Sequence, residues 1–209
     1  MTIYDIYIPD AIKQYLNDQK ITKITKAHRS GDKVYKIGQS YILKISTNIE
    51  RLTKEKEVND YLKDKVIVSK TVEFIIYHDT AYYLKTQVLG TPLVSKKYLK
   101  DPHNLIRLLA RAIKIFHNID ISNCTYKNSY STGGTFVHGD FCLPNIIVDN
   151  NQNLGFIDTS DAGVGDEWVD YAWAIWSLEY NLKTIKYTKE FLELLNINFD
   201  IDKYNKYIN

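Results

Sequence analysis

Val137-His138-Gly139-Asp140-Phe141-Cys142-Leu143-Pro144-Asn145-Ile146-Ile147-Val148, continued by Leu154-Gly155-Phe156-Ile157-Asp158, carries the chemistry-bearing residues of this 209-residue chain. Ile146–Val148 and Leu154–Ile157 are short apolar runs on either side of Asp149-Asn150-Asn151-Gln152-Asn153, and that pattern predicts a hairpin. Asn145 leads directly into the first strand and Asp158 ends the second. A hairpin brings those ends together and places Asp140, Asn145 and Asp158 in one cleft. Three oxygen-bearing side chains suit magnesium-assisted phosphoryl transfer, because Mg²⁺ takes hard oxygen ligands and borrows some from substrate phosphates. In that reading Asn145 and Asp158 hold metal, while Asp140 orients or deprotonates the attacking hydroxyl. Aspartate and asparagine are also common turn formers and helix caps, so spacing alone leaves both readings open.

Upstream, Ile21–Ala27, Val34–Ile37 and Tyr41–Ile45 carry strand-favouring residues, with turns expected at His28–Lys33 and Gly38–Ser40. Glu50–Leu62 is expected as a helix, with Leu52, Val58, Tyr61 and Leu62 unevenly spaced and Thr53 a candidate cap. Val66–Tyr77 and Ala81–Val88 form a second strand pair across His78-Asp79-Thr80. Strands around one helix suggest an antiparallel sheet rather than a Rossmann unit. Lys44 lies within an otherwise apolar strand, costly for a charge unless it meets solvent, an acid or an anion. Glu55 on the following helix can pair with it and hold it toward nucleotide phosphates, and Glu57 competes for that place. An exposed sheet lysine without a catalytic role is the alternative. Ser30, Gly31 and Asp32 could turn above bound phosphates, although no Gly-x-Gly-x-x-Gly or P-loop pattern is present.

Leu89-Gly90-Thr91-Pro92 breaks the strand pattern and marks a lobe boundary. Beyond it Leu105, Leu108, Leu109, Ala112, Ile113 and Phe116 recur at helical spacing, predicting a helix with a buried stripe over Pro102–Asn118. Asn118–Thr135 reads as a polar connection. Trp168–Leu178 and Lys186–Leu195 return to helix, where Trp168, Trp173 and Trp176 suit packing better than a ligand cage. His138 has no zinc spacing with other histidines, and a structural bond to loop backbone near Asp140 is expected of it. Cys142 is expected as a small buried residue.

Composition narrows the class. The formal charge is +2, from 27 basic and 25 acidic residues, with no basic stripe of the kind a nucleic-acid groove needs. The densest basic run, Ser95–Lys100, is expected as a solvated face. No apolar run approaches the length of a membrane span, and the N-terminus has no export pattern, so no membrane partner is expected. Cys124 and Cys142 make no disulfide framework, which fits a cytoplasmic protein with free thiols. The 17 tyrosines are scattered through periodic segments, which suits core and boundary positions.

Val137–Val148 closely resembles the catalytic loop of bacterial aminoglycoside phosphotransferases, especially the 3′-kinases, and Gly155-Phe156-Ile157-Asp158 resembles their metal-binding segment. Gly163, Gly165, Asp166, Trp168, Asp170 and Ala172 continue the pattern downstream. The resemblance implies an α+β, bilobal protein-kinase-like fold, with an antiparallel sheet lobe over residues 1–90 and a compact, mainly helical lobe over residues 91–209. It implies that Lys44 contacts nucleotide phosphates with Glu55 as its helix partner. It further implies that Asp140 receives or positions the substrate hydroxyl, and that Asn145 and Asp158 are magnesium ligands. Gln87-Val88-Leu89-Gly90 matches the hinge, so Gln87 and Leu89 are expected against the nucleotide base, with ATP or GTP as donor.

The acceptor side departs from the family. Its members carry an extra helical segment where Asn118–Thr135 stands, and many bring an acidic, aromatic terminal segment to the antibiotic. Here the chain stops after Tyr204–Asn209, and Ser160-Asp161 replaces the Gly-Arg that often follows the metal-binding aspartate. Asp161, Asp166 and Glu167 could supply charge to a cationic aminoglycoside, with Asp166 and Asp170 alternatively capping and bracing helices. The expected function is therefore Mg²⁺-dependent phosphoryl transfer to a small polyhydroxylated acceptor, an aminoglycoside first. A kinase for another hydroxylated metabolite and a nucleotide-binding relative without turnover are the alternatives. Monomer and homodimer stay open.

Overall fold

A computed structural model of the protein describes residues 7–24 and 31–208. Part of the strand expected over Ile21–Ala27, and half of the turn expected at His28–Lys33, lie outside the described residues. The chain forms two compact units. One comprises the residues up to Lys63 with Ser69–Gln87, and the other comprises Asp64–Val68 with the chain from Val88 onward.

The first unit begins with a one-turn helix α1 (Asp10–Lys13), followed by β1 (Ile21–Ile24), β2 (Lys33–Ile37), β3 (Tyr41–Ser46) and α2 (Ile49–Leu62). The chain passes through β4 (Ile67–Val68), a strand of the other unit, before β5 (Thr71–Tyr77) and β6 (Thr80–Thr86). The sheet order is β1-β2-β3-β6-β5, and every neighbouring pair is antiparallel. Alternation along the strands gives each face its own partner. Tyr35, Ile37, Leu43, Ile45, Tyr82 and Leu84 pack with Ile8 and Ile12 on one face. Ala81 and Tyr83 on the other receive Leu52 from α2.

The helix α2 differs from expectation in two respects. Its cap is Asn48, whose side chain accepts from the Arg51 backbone N–H at 3.0 Å, so Thr53 falls inside the helix. Its buried stripe is Leu52, Glu55, Val58, Asn59 and Leu62. Two polar residues fill the gaps in the hydrophobic pattern because each has a specific partner on the sheet. Asn59 Nδ2 donates to Tyr83 Oη at 3.1 Å, and Glu55 meets lysines. The expected strand Val66–Tyr77 is broken at Ser69-Lys70, since Ile67–Val68 runs parallel to Gly155–Phe156 in the second unit.

The second unit contributes β7 (Thr91–Pro92), α3 (Lys96–Leu99), α4 (Pro102–His117), β8 (Thr135–Val137), β9 (Ile146–Val148), β10 (Leu154–Phe156), β11 (Gly163–Gly165), α5 (Trp168–Leu182), α6 (Thr188–Leu195) and α7 (Ile201–Ile208). Its four-stranded sheet runs β4-β10-β9-β7, and β11 pairs with β8. The predicted hairpin is β9–β10, in the register Leu154↔Val148 and Phe156↔Ile146. Asp149 pins its turn by accepting from the Asn151 and Asn153 backbone N–H groups and from Asn153 Nδ2. Those bonds, Asn153's first, hold the Asp149 carboxyl below the usual aspartate range.

Helix α4 starts on an Asp101 cap with proline in its first turn, and every residue of the predicted stripe is buried. Phe116 centres an aromatic cluster with Phe136, His138, Phe141 and Phe156, at ring separations of 4.8–6.0 Å. That cluster braces both flanks of the hairpin. Three elements differ from expectation. Ser95–Lys100 contains the one-turn helix α3, anchored by buried Tyr98. Helix α5 runs a turn past Leu178, and Ile201–Ile208 forms a further helix, α7.

Candidate active site

Asp140 follows a backbone turn that only a glycine fits. Gly139 has φ +83°, and a Cβ there would stand 2.7 Å from both Asn128 Nδ2 and the Asp161 carbonyl. The carbonyl of Asp140 accepts from the Cys142 backbone N–H at 2.8 Å and from Asn145 Nδ2 at 3.0 Å. Asn145 Nδ2 also donates to Asp140 Oδ2 at 3.0 Å. An amide that gives its nitrogen to Asp140 presents its oxygen on the other side. The Ile157 N–H donates to the Asn145 carbonyl at 3.0 Å, one residue before Asp158, so the end of β10 reaches Asn145. Asp158 itself takes the left-handed conformation, φ 63° and ψ 51°, which aspartate tolerates better than most residues. The hairpin thus brings the strand end that precedes Asp158 to Asn145, whose side chain is bonded to Asp140. Among the described residues no three His, Cys, Asp or Glu side chains converge as a self-sufficient metal cage.

His138 acts as framework. Its Nε2 lies 3.0 Å from the Ile157 carbonyl, and its Nδ1 accepts the Asp140 N–H at 3.4 Å, an arrangement that requires the proton on Nε2. The fully buried Asp170, in the first turn of α5, fastens the loop from behind. Its carboxylate accepts from the backbone N–H groups of His138 and Gly139 at 2.9–3.1 Å and meets His117 Nε2 at 2.9 Å. One side chain therefore joins the end of α4, the end of β8 and the start of α5. Ser177 Oγ accepts the Leu143 N–H at 3.0 Å and holds the next turn of the loop. Cys142 is buried beneath that turn, as expected.

Charge in the first unit collects on Glu55. The carboxylate is fully buried and takes the Lys44 ammonium at 2.8 and 3.0 Å. Glu57 is exposed, so the competition between the two glutamates is decided by the face of α2 on which each lies. Lys85, on β6, is ion-paired to the same carboxylate, a partner that sequence reasoning missed. A lysine in a Tyr-Tyr-Leu-Lys-Thr strand was the only local signal. Asp32 turns inward: its carboxylate accepts from Ser46 Oγ at 2.6 Å and pairs with Arg51. Ser30 lies outside the described residues.

In the segment expected as the hinge, the Gln87 N–H donates to the Ser40 carbonyl at 2.7 Å, and the Leu89 side chain is exposed. Gly90, at φ +138°, lies against the Val148 carbonyl, where a Cβ would approach to 2.4 Å. The acidic candidates fare differently from one another. Glu167 is exposed and accepts from Tyr171 Oη at 3.4 Å. Asp161 is half-buried, and its carbonyl accepts from Asn128. Just ahead of α5, Asp166 accepts the Trp168 N–H at 3.0 Å, while its other oxygen accepts from Tyr207 Oη of α7 at 2.8 Å, with Lys206 Nζ 4.0 Å away. Trp168, Trp173 and Trp176 all lie on α5. Trp168 packs on Tyr171, Trp173 on Trp176, and Trp176 on Tyr180.

Residues 131–201, which contain this loop and its braces, match the model of the phosphotransferase enzyme family. A probable aminoglycoside 3′-phosphotransferase of Lactococcus lactis subsp. lactis (strain IL1403) is 26% identical, over 93% of this chain and 90% of its own. The chain is thus similar in sequence to aminoglycoside phosphotransferases along most of its length. An aminoglycoside 3′-phosphotransferase of Niallia circulans is likewise 26% identical, over 96% of this chain and 95% of its own. Among solved structures, an aminoglycoside-3′-phosphotransferase of type VIII superposes with a TM-score of 0.76 at 16% identity, over 95% of this chain and 97% of that one. The aminoglycoside phosphotransferase APH(3'')-Id from Streptomyces rimosus ATCC10970 gives 0.75 at 17%, over 91% of each chain. The fold is thus the α+β, kinase-like fold of the aminoglycoside phosphotransferases. The alignment with the Lactococcus protein runs over 238 positions, more than the 209 residues of this chain. That relative therefore carries residues inside the aligned region that this chain lacks.

Proposed function

We propose that this protein transfers the terminal phosphoryl group of ATP or GTP to a hydroxyl of an aminoglycoside. The observation that carries the reading is the Asp140–Asn145 pair, in which an oriented amide holds a half-buried carboxylate by its Oδ2 at 3.0 Å. Held there, the carboxylate keeps an oxygen for an acceptor hydroxyl and can take its proton as the oxygen attacks phosphorus. Lys44, fixed by Glu55, directs an ammonium at nucleotide phosphates. The amide oxygen of Asn145 and the carboxylate of Asp158 form an all-oxygen donor set that fits Mg²⁺, and these two residues would hold it. Bound there, the ion neutralises phosphate charge. Relatives of the same fold have been solved with ADP and streptomycin and with GDP and kanamycin, which supports a nucleotide donor and an aminoglycoside acceptor.

One observation favours a second acceptor class. Tyr207 and Lys206 already engage Asp166, so part of the acidic surface expected to meet a polycation is taken by α7. A less cationic hydroxylated metabolite fits that arrangement. Incubating the purified chain with Mg²⁺, ATP or GTP, and a panel of aminoglycosides and neutral polyols tests both. Mass spectrometry is expected to detect one added phosphate on an aminoglycoside, and Asp140→Ala to lower turnover by about 10²–10⁴-fold while nucleotide still binds. Phosphorylated polyols without phosphorylated aminoglycosides would move the assignment to the second class. Nucleotide binding without any product would remove the transferase reading.

A further inference from the structure

Two lysines share one buried carboxylate. Lys44 and Lys85 are 8% and 3% exposed and Glu55 is completely buried. In the β3–β6 register Ile42 stands opposite Lys85 and Lys44 opposite Tyr83, so both lysines project from the same sheet face, toward α2. Lys44 Nζ contacts both Glu55 oxygens, and Lys85 is ion-paired at Oε1. The Lys85 ammonium also lies 5.3 Å from the Tyr83 ring centroid, a second favourable setting for its charge.

The chemistry of such a trio differs from that of a simple pair. Drawing one partner out of a buried ion pair is strongly unfavourable, because the other charge is left uncompensated in a medium of low dielectric. With Lys85 on the same carboxylate, Glu55 keeps a cation when Lys44 turns to another anion. We propose that Lys85 is a positioning residue for nucleotide binding, holding Glu55 so that Lys44 can exchange its carboxylate contact for phosphate oxygens. The inference rests on Lys44 meeting phosphate, as the proposed function has it, and makes Lys85 the residue that sets how readily it does so. Without Lys85, Glu55 retains Lys44 and the nucleotide competes against that bond.

Titration of the full chain with ATP in excess Mg²⁺, followed calorimetrically, tests this independently of turnover. Lys85→Met is expected to weaken binding about tenfold, within the coupling range of contacting charged residues. Adding Glu55→Gln removes the charge that retains Lys44, and the double variant is expected to regain most of the loss. A purely structural role for Lys85 would make the second substitution a further loss. Lys85→Arg, which keeps the charge, is expected to bind better than Lys85→Met. Thermal melts verify folding, and Lys85→Gln serves if the methionine variant does not fold. Unchanged affinity in the charge-removing variant, or a double variant weaker than the single one, overturns the inference while wild-type binding leaves the proposed function standing. A wild-type chain that binds no nucleotide overturns both.

Discussion

The residues proposed for catalysis were legible because their geometry is local. Asp140 and Asn145 are five positions apart on one tight turn, and Asp158 lies at the other end of a short hairpin. A pattern of turn and strand residues is enough to predict that the two ends of the hairpin meet. The braces were harder to read. Asp170 acts across 31 and 32 positions of chain, and its only local mark is a carboxylate among Trp168, Val169, Tyr171 and Ala172. That mark signals a buried acid with partners but does not say which partners. Asp170→Asn leaves one acceptor oxygen where the carboxylate has two, facing His138, Gly139 and His117. It is expected to lower stability by about 1.5–3 kcal/mol in urea titration, the scale of hydrogen bonds to a charged group.

At the scale of elements, α4 was read in full because its stripe is purely apolar, whereas α2 hid its stripe behind Glu55 and Asn59. Burial of α2 depends on what β6 offers each polar position, and strand partners separated by a whole helix leave no trace in a local window. Helix α7 escaped notice for a related reason: Tyr207 is held through a hydrogen bond to Asp166 rather than by an apolar core. The α2–β6 contact has a consequence for alkaline stability. Burial, first of all, pushes the Tyr83 phenol up to about 12, with the bonds from Thr71 and Asn59 opposing and the Glu55 charge adding to the rise. Below pH 10 the phenol is neutral in both folded and unfolded chains, so its contribution is intact there. Between pH 10 and about 12 the unfolded chain releases this proton first, and stability falls as pH rises. Tyr83→Phe is expected to flatten that part of the profile, measured as denaturant midpoints at several alkaline pH values.

For the whole molecule, the likeness to aminoglycoside phosphotransferases covers nearly all of the chain, yet the aligned relatives carry additional internal residues. A chain that binds nucleotide only when folded gains stability by mass action. Mg²⁺ and nucleotide at about 100 times the dissociation constant are expected to add about 2.7 kcal/mol, read as a rise in the calorimetric midpoint that Lys44→Met removes. The overall class was legible because the stretch from Val137 to Asp158 and the strand-then-helix order agree. The discontinuity of the units was not, since a two-residue strand such as Ile67–Val68 has no periodicity to read. That strand has a further consequence, for genetic exchange. Because Asp64–Val68 belongs to the second unit while the chain on both sides belongs to the first, no single uninterrupted gene segment encodes either unit. A recombinant joined at residue 88 would carry a foreign β4 into the β10 edge. Chimaeras between this chain and its relatives should therefore tolerate a crossover at 88 only when Ile67–Val68 is exchanged together with the strand it pairs.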